Sequence, residues 1–451
     1  MSGIPGRVRA MENIAQTTFR PGDAGYDDES AGFQTGCTVR PDLIVAATDA
    51  EEVRRAVAHA AAHGLPVGVQ ATGHGRPGPS QGGVLISTRR MDGVRIDPVT
   101  RTARIEAGVR WGQVVAAAAP YGLAPLSGSA PTVGAVSYTL GGGLGLLARQ
   151  FGYTADHVRA IEVVTGDGEP RRVTSGELYW ALLGAGAGLG VVTAIEIGLV
   201  PVTRLYGGGI LFGDGPADDV ARAYLEWAAT VPDELTSSLG VMVYPDLPMV
   251  PAHLRGRRVT AVRVAYTGSA AAGERLVAPL RAIGPALEDS LRELPYTDSA
   301  TIHNDPDQPH AYYGDNAMLS GLDADAFGEV LRLTGPDQPV WTVTQLSPLG
   351  GALRTPAPNA VPYREAAYAV RTLSLVTPDT DVAAIRALYE KVYGGLGARV
   401  LGRSLNFVFG AGERPEGLYD AETLERIGRV KAAYDPGDLF RRPGGGPGRP
   451  S

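Results

Sequence analysis

Cysteine is almost missing from this chain: Cys37 is the only one in 451 residues. A lone thiol closes no internal disulfide and builds no cysteine-rich zinc site, and Cys37 is expected to be a buried, inert thiol. Lysine is nearly absent as well. Of 41 basic residues only Lys391 and Lys431 are lysine, a bias that reflects a GC-rich genome. No apolar run reaches the roughly 18 residues of a membrane span, and the opening MSGIPGRVRAMENIAQ lacks the apolar stretch of a secretory signal. The expectation is a cytoplasmic protein with no membrane partner. Basic charge is not in excess: 41 basic against 48 acidic residues give a net charge of −7, which argues against a general nucleic-acid binder. With 44% hydrophobic and 20% charged residues, the chain reads as globular, and its length suggests roughly two or three domains.

Glycine is what the chain has in plenty, 61 residues, and it is unevenly spread. Windows 64–83, 122–152 and 183–198 hold 7, 8 and 5 of them. All three fall in the first half, at expected strand ends. Glycine there lets backbone N–H groups approach a ligand and adopt positive φ, and successive N–H groups form anion-binding nests. A phosphate-bearing cofactor is the expected ligand. The string Gly73-His74-Gly75-Arg76-Pro77-Gly78 fits G-x-G-x-x-G. However, Pro77 and Pro79 oppose a helix start, and no acidic residue ends a second strand at the dinucleotide spacing. Gly141-Gly142-Gly143-Leu144-Gly145 is no Walker loop, since no Lys-Ser/Thr follows.

Local patterning predicts a helix over Asp49–Ala62, with Thr48 or Asp49 as cap and Gly64 as stop. Strands are expected at Pro66–Gln70, Val84–Thr88, Val94–Asp97, Thr102–Ala107, Arg159–Thr165 and Gly190–Val200, with helices at Trp111–Ala119 and Glu177–Leu183. After Pro201 the pattern changes. Strand candidates Gly209–Phe212, Leu239–Tyr244, Val259–Thr267, Val340–Leu346 and Ala367–Leu375 alternate with helices Pro216–Thr230, Ala271–Ile283, Ala324–Thr334 and Asp381–Leu396. That suggests an α+β domain with a mostly antiparallel sheet. Asp420–Lys431 reads as a last helix, and Arg441–Ser451 as a frayed tail. The four tryptophans are expected in the core.

Residues 40–200 resemble the FAD domain of the vanillyl-alcohol-oxidase/PCMH flavoprotein superfamily, and within it the berberine-bridge-enzyme-like oxidases. The likeness rests on Arg40–Gly75, on Pro131-Thr132-Val133-Gly134 followed by Thr139–Gly145, and on Gly152–Val158 and Ile161–Gly168. It continues through Tyr179–Leu182, Gly190–Thr193 and, far downstream, Tyr434–Arg441. The resemblance implies a two-domain α+β fold of PCMH type, whose antiparallel-sheet domain covers the flavin. The corresponding segments are 1–203 for FAD, 204–403 for substrate, and 404–451 returning to the FAD domain.

The resemblance also assigns roles. His74 stands where relatives bond the flavin 8α carbon, and a neutral imidazole is a competent nucleophile. Relatives with a second bond use a cysteine at the position of Ala130, so a single link is expected. Thr72, Gly73, Gly75, Arg76, Pro77 and Gly78 would bind the pyrophosphate. Gly128, Ser129, Thr132, Val133, Gly134, Tyr138 and Gly141, Gly142, Gly143, Leu144 and Gly145 would pass close to the flavin and ribityl chain. Asp156, His157, Val158, Gly190 and Val192 would line the ribose and adenine side. Gly128 is compatible with oxygen reaching the flavin, and Tyr138 could hydrogen-bond the ring's pyrimidine edge. The family's Tyr-x-Asn string is here Ser404-Leu405-Asn406, so the usual base is missing. Asn406, Tyr363 and Tyr138 are the catalytic candidates, with Tyr312, Tyr313, His303 and His310 as substitutes. The implied activity is an oxidase taking a hydride from a small organic substrate of secondary-metabolite type, with molecular oxygen as the second partner. Two alternatives stand beside it: a flavoprotein that reoxidises or sequesters a reduced quinone-type drug, and a non-redox cyclase that keeps its flavin.

Overall fold

Helix Ala50–His63 follows from local chemistry. The Asp49 carboxylate accepts the Glu52 N–H at 2.8 Å, and Gly64 ends the helix at φ 62. Val53, Ala56, Val57 and Ala60 pack on the parallel strands Leu43–Ala46, Val84–Ser87 and Val67–Gln70. Burial on both faces explains why LIVA and VLIS run apolar without alternation. The computed structural model describes residues 15–441 except Pro77, Ala187, 214–216, Leu247, Met249 and 411–415. The expected tail beyond Arg441, the Pro216 helix start and the Pro77 site lie outside the described residues.

A five-stranded antiparallel sheet comes next, in the order Pro170–Val173, Val158–Val164, Val191–Gly198, Thr102–Glu106, Val94–Asp97. Helices Trp111–Ala118 and Gly176–Ala185 share its core, with Trp111, Ile105, Ile161 and Leu178 at most 2% exposed. The end of the chain returns to this region. The Val67 N–H donates to the Leu439 carbonyl at 2.7 Å, and Gly166 N–H to that of Tyr434 at 2.9 Å. Buried Asp435 accepts the N–H groups of Leu439 and Phe440 at 2.8 and 3.0 Å.

From Arg204 onward a nine-stranded antiparallel sheet forms. Its central order is Arg204–Phe212, Arg258–Tyr266, Leu235–Val243, Val343–Pro348, Tyr368–Leu375, Tyr312–Leu319. Helices Ala217–Ala228, Ala270–Arg281, Ala324–Leu333 and Val382–Gly395 cover one face, over Leu239, Val262, Leu346 and Val370. The α+β class with a large antiparallel sheet is as expected. Sequence patterning missed Tyr312–Leu319, a fully buried strand. Its Gly314-Asp315-Asn316 carries turn composition. Here Asp315 pairs with Arg403 at 3.1 Å, and Asn316 bonds the Ser404 backbone.

Candidate active site

His74 sits between Gly73 and Gly75, at φ 71 and 63. Glycine adopts that left-handed region freely, and a Cβ on Gly73 would come within 2.6 Å of the Gly32 backbone. The imidazole stacks on Phe33, with ring centroids 3.7 Å apart and planes 14° apart. Its Nδ1 lies 3.0 Å from Thr72 Oγ1, and its Nε2 lies 3.4 Å from Thr132 Oγ1. Burial, aided by the charges of Arg110 and His310, lowers its pKa to about 4. The ring is therefore neutral at pH 7, with a nucleophilic lone pair.

The loop is held from both sides. Phe33 N–H donates to Thr72 O at 3.0 Å, Gln34 N–H to Gly73 O at 3.1 Å, and Gly75 N–H to the Tyr312 hydroxyl at 3.1 Å. Arg76 faces the loop's base, where it donates to Ser30 O at 2.7 Å and to Gln70. Gly78 follows before the short Ser80–Gln81 strand.

The second loop meets the first. Thr132 touches His74, and Gly134 lies beside Thr72, so a Cβ there would be 3.6 Å from Thr72 Oγ1. Val133 O accepts the Trp111 N–H at 3.0 Å, and helix Ala135–Leu140 begins after Gly134. The Tyr138 ring fills the room left by Gly128, Gly143 and Gly145. A Cβ at those positions would approach it to 3.1, 2.7 and 3.0 Å. Its hydroxyl is buried without a partner among the described residues, because neighbouring Thr154 donates instead to Leu126 O at 2.6 Å. Burial pushes the Tyr138 pKa up, so the phenol is a proton donor at neutral pH and not a base.

These features fit a dinucleotide. The N–H groups of Gly73 and Arg76, and of Gly143, Leu144 and Gly145, have no acceptor among the described residues. They form two arrays of free donors suited to phosphate and ring oxygens. The orphaned Tyr138 hydroxyl supplies a third donor.

Asn406 closes the far side. Its Nδ2 donates to Tyr138 O at 2.9 Å, and its amide fills the space where a Cβ on Gly141 would stand. Asn316, fully buried, positions this segment by donating to Ser404 O at 3.0 Å and accepting Ser404 N–H at 2.8 Å. Asn316→Ala strands both Ser404 groups, and is expected to cost about 2–4 kcal/mol in urea unfolding.

Other expected site residues have protein partners or packing of their own. Tyr363 adopts φ 55 and donates to Gly417 O at 3.0 Å. The Asp156 carboxylate is taken up by Arg364 at 2.6 Å, by Asn359 at 2.8 Å and by the Tyr153 N–H at 3.0 Å. His157 Nε2 lies 2.7 Å from Phe151 O. Val158 and Val192 are buried on adjacent strands, and Gly190 just precedes the second of them. Cys37 is buried, which raises its thiol pKa. Among the described residues no acidic, histidine or cysteine cluster could hold a metal.

Sequence reading missed Phe33, whose stacking on His74 only the fold reveals. It also missed Arg263 and Arg371, which approach His303 and Asp305 opposite Tyr138. The Ser129 hydroxyl donates to Asp305. Burial, reinforced by Arg263, lowers His303 to about 3. An unfolded histidine titrates near 6.5, so the unfolded state binds the extra proton, and this group's contribution to stability is lost as pH falls from about 6.5 to 3. His303→Gln should flatten the acid limb of the stability–pH curve by at most about 1.4 kcal/mol per pH unit.

The FAD binding domain family model matches residues 41–174. (R)-6-hydroxynicotine oxidase of Paenarthrobacter nicotinovorans is 27% identical over 95% of this chain and 96% of its own. The chain is an FAD-linked oxidoreductase similar, over nearly its whole length, to the PCMH-type, berberine-bridge-enzyme-like oxidases. The solved 6-hydroxy-D-nicotine oxidase of Arthrobacter nicotinovorans shares this fold with a TM-score of 0.81 at 23% identity, covering 95% of this chain and 97% of that one. Glucooligosaccharide oxidase of Acremonium strictum does so at 0.82 and 20%, covering 95% and 96%; that protein carries a 6-S-cysteinyl, 8α-N1-histidyl FAD. The expected likeness to these oxidases and the expected FAD binding hold. No helix among the described residues is long and apolar enough to cross a membrane.

Proposed function

We propose that this chain is an oxidase for a small organic substrate, with its FAD bonded once, through His74. When bound, FAD supplies the ring that accepts a hydride and hands the electrons to molecular oxygen, giving hydrogen peroxide. The observation that carries the reading is the neutral His74 imidazole, held by Phe33 and Thr72 where the two donor-bearing loops meet. Free N–H groups at Gly73, Arg76 and Gly143–Gly145 would hold phosphate and ring oxygens. Tyr138 would donate to the ring's pyrimidine edge, where negative charge develops. Asn406 braces Tyr138 through its carbonyl. The polar face of the large sheet would form the substrate side.

The hydroxyl of Tyr363 is engaged with Gly417, and Ser404 stands where relatives place a tyrosine. That favours a substrate that gives up its proton easily: a phenol, hydroquinone or amine. The same observation supports the second reading, reoxidation of a reduced quinone-type compound. To test oxidase behaviour, the flavin is photoreduced without air and oxygen is then admitted. Reoxidation within seconds, with stoichiometric hydrogen peroxide, is expected. Reoxidation over many minutes would overturn the oxidase reading.

A further inference from the structure

The two faces of the large sheet differ sharply in composition. Residues directly paired across strands share a face. Arg263 pairs with Ser238, Gly240 with Gln345, Gln345 with Arg371, and Arg371 with Asn316. These residues therefore all point one way. Their chain neighbours Leu239, Val262, Leu346, Val370 and Ala317 point the other way, into the helix-covered core. The polar face looks toward the flavin loops: Met318 and Ala369, also on it, join the apolar cluster that Tyr138 packs against.

On that face two guanidinium groups converge. A Cβ on Gly240 would lie 2.9 Å from Arg263 Nη1, so the Arg263 side chain reaches over Gly240 toward Gln345. From the other side Arg371 donates to Gln345 Oε1 and lies over the Phe407 ring, 4.1 Å from its centroid and next to Asn406. Among the described residues Arg263 has no hydrogen bond or ion pair, and Arg371 has only that neutral amide. The Ser238 hydroxyl, opposite Arg263, is buried without a partner. The nearest acid, Asp305, acts on both arginines from beyond ion-pair distance and takes the Ser129 hydroxyl. His303 is pressed toward its neutral form and adds no negative charge. Burial lowers the pKa of both arginines, Arg371 to about 10. A largely desolvated cation with no ion-pair partner is costly, and these two, half-buried on one face with only Asp305 at longer range, leave room for an anion.

We infer that the anion is the substrate: the compound oxidised here carries a carboxylate, which Arg263 and Arg371 clamp over Gly240 and Gln345, with Ser238 as a further donor. This rests on the proposed oxidase reading for the location of the reacting end, near Tyr138 and Asn406. Arginine forks suit a planar carboxylate, and charge-assisted hydrogen bonds are about twice as strong as neutral ones. Arg263 and Arg371 are thus specificity-determining residues, and a neutral analogue of the same shape should bind poorly.

The test titrates the flavin-loaded protein with benzoate and with benzamide by calorimetry while its visible spectrum is recorded. Benzoate is expected to bind at least about tenfold more tightly than benzamide and to perturb the flavin bands. Arg371→Met and Arg263→Met should each remove most of that preference, and Arg371→Lys should retain part of it. Equal affinities, no binding of benzoate, or a preference intact in both methionine variants would overturn the proposal. The wild-type comparison stands even if a variant fails to fold. A preparation without flavin would sink the oxidase reading, while the benzoate and benzamide heats would still judge the anion site.

Discussion

Replacing His74 with alanine is expected to free the flavin. Acid precipitation of the wild-type protein should give a yellow pellet, whereas His74→Ala should give a colourless pellet and a yellow supernatant. The residue at position 130, where the resemblance implies a second attachment point, is alanine. The sole thiol, Cys37, is buried with its Sγ 3.8 Å from Arg76 O. The His74 ring, by contrast, is neutral, and among the described residues its nitrogens meet hydroxyl groups, of Thr72 and Thr132. The variant also loses the Phe33 stack, worth about 0.5–1.5 kcal/mol. Its loops keep their free N–H groups, so some FAD should still bind without a covalent bond. Yellow colour released from the wild-type protein would refute the link directly.

Gly145→Ala should have the second largest effect. Its Cβ would overlap the Ser127 carbonyl oxygen and come within 3.0 Å of the Tyr138 hydroxyl. Neither neighbour can retreat easily. Ser127 O accepts the Leu146 N–H at 3.2 Å, and Tyr138 is boxed in by Trp111, edge-on at 5.6 Å. The clash should cost about 2–4 kcal/mol. It should also displace the donors of Gly143–Gly145, so that flavin content at purification falls. Gly428→Ala is the control. It lies inside helix Ala421–Tyr434 with nothing within 4 Å of the added carbon, so unfolding free energy should be unchanged or rise by about 0.5–1 kcal/mol. Equal flavin content in Gly145→Ala and Gly428→Ala would show that the Gly143–Gly145 loop is not part of the cofactor site.

Much of the architecture was legible because it is written locally. The Asp49 cap and Gly64 stop bracket one helix in sequence as in space. In the large sheet, local composition predicts shorter strands than those that form. Arg204–Phe212 begins five residues before the expected Gly209, because Gly207 and Gly208 look like a loop. In the sheet those glycines make room: a Cβ on Gly207 would lie 2.8 Å from Ile302, and Gly208 adopts φ 138. Leu43–Ala46 is a buried strand that local patterning does not mark.

By itself the sequence determined the order and spacing of the glycine-rich motifs, the histidine at position 74 between two glycines, and alanine at position 130 with Cys37 as the one thiol. Those depend on residue identity and short-range spacing. Only the tertiary structure decided what those residues face. Phe33 stacks on His74, Tyr363 turns its hydroxyl to Gly417, and Arg364 occupies Asp156. Arg263 and Arg371, unremarkable as single arginines, become a pair because strand pairing in register puts them on one face, with Asp305 beyond ion-pair distance of both. Sheet register and desolvation are properties of the folded chain, and no local pattern encodes them.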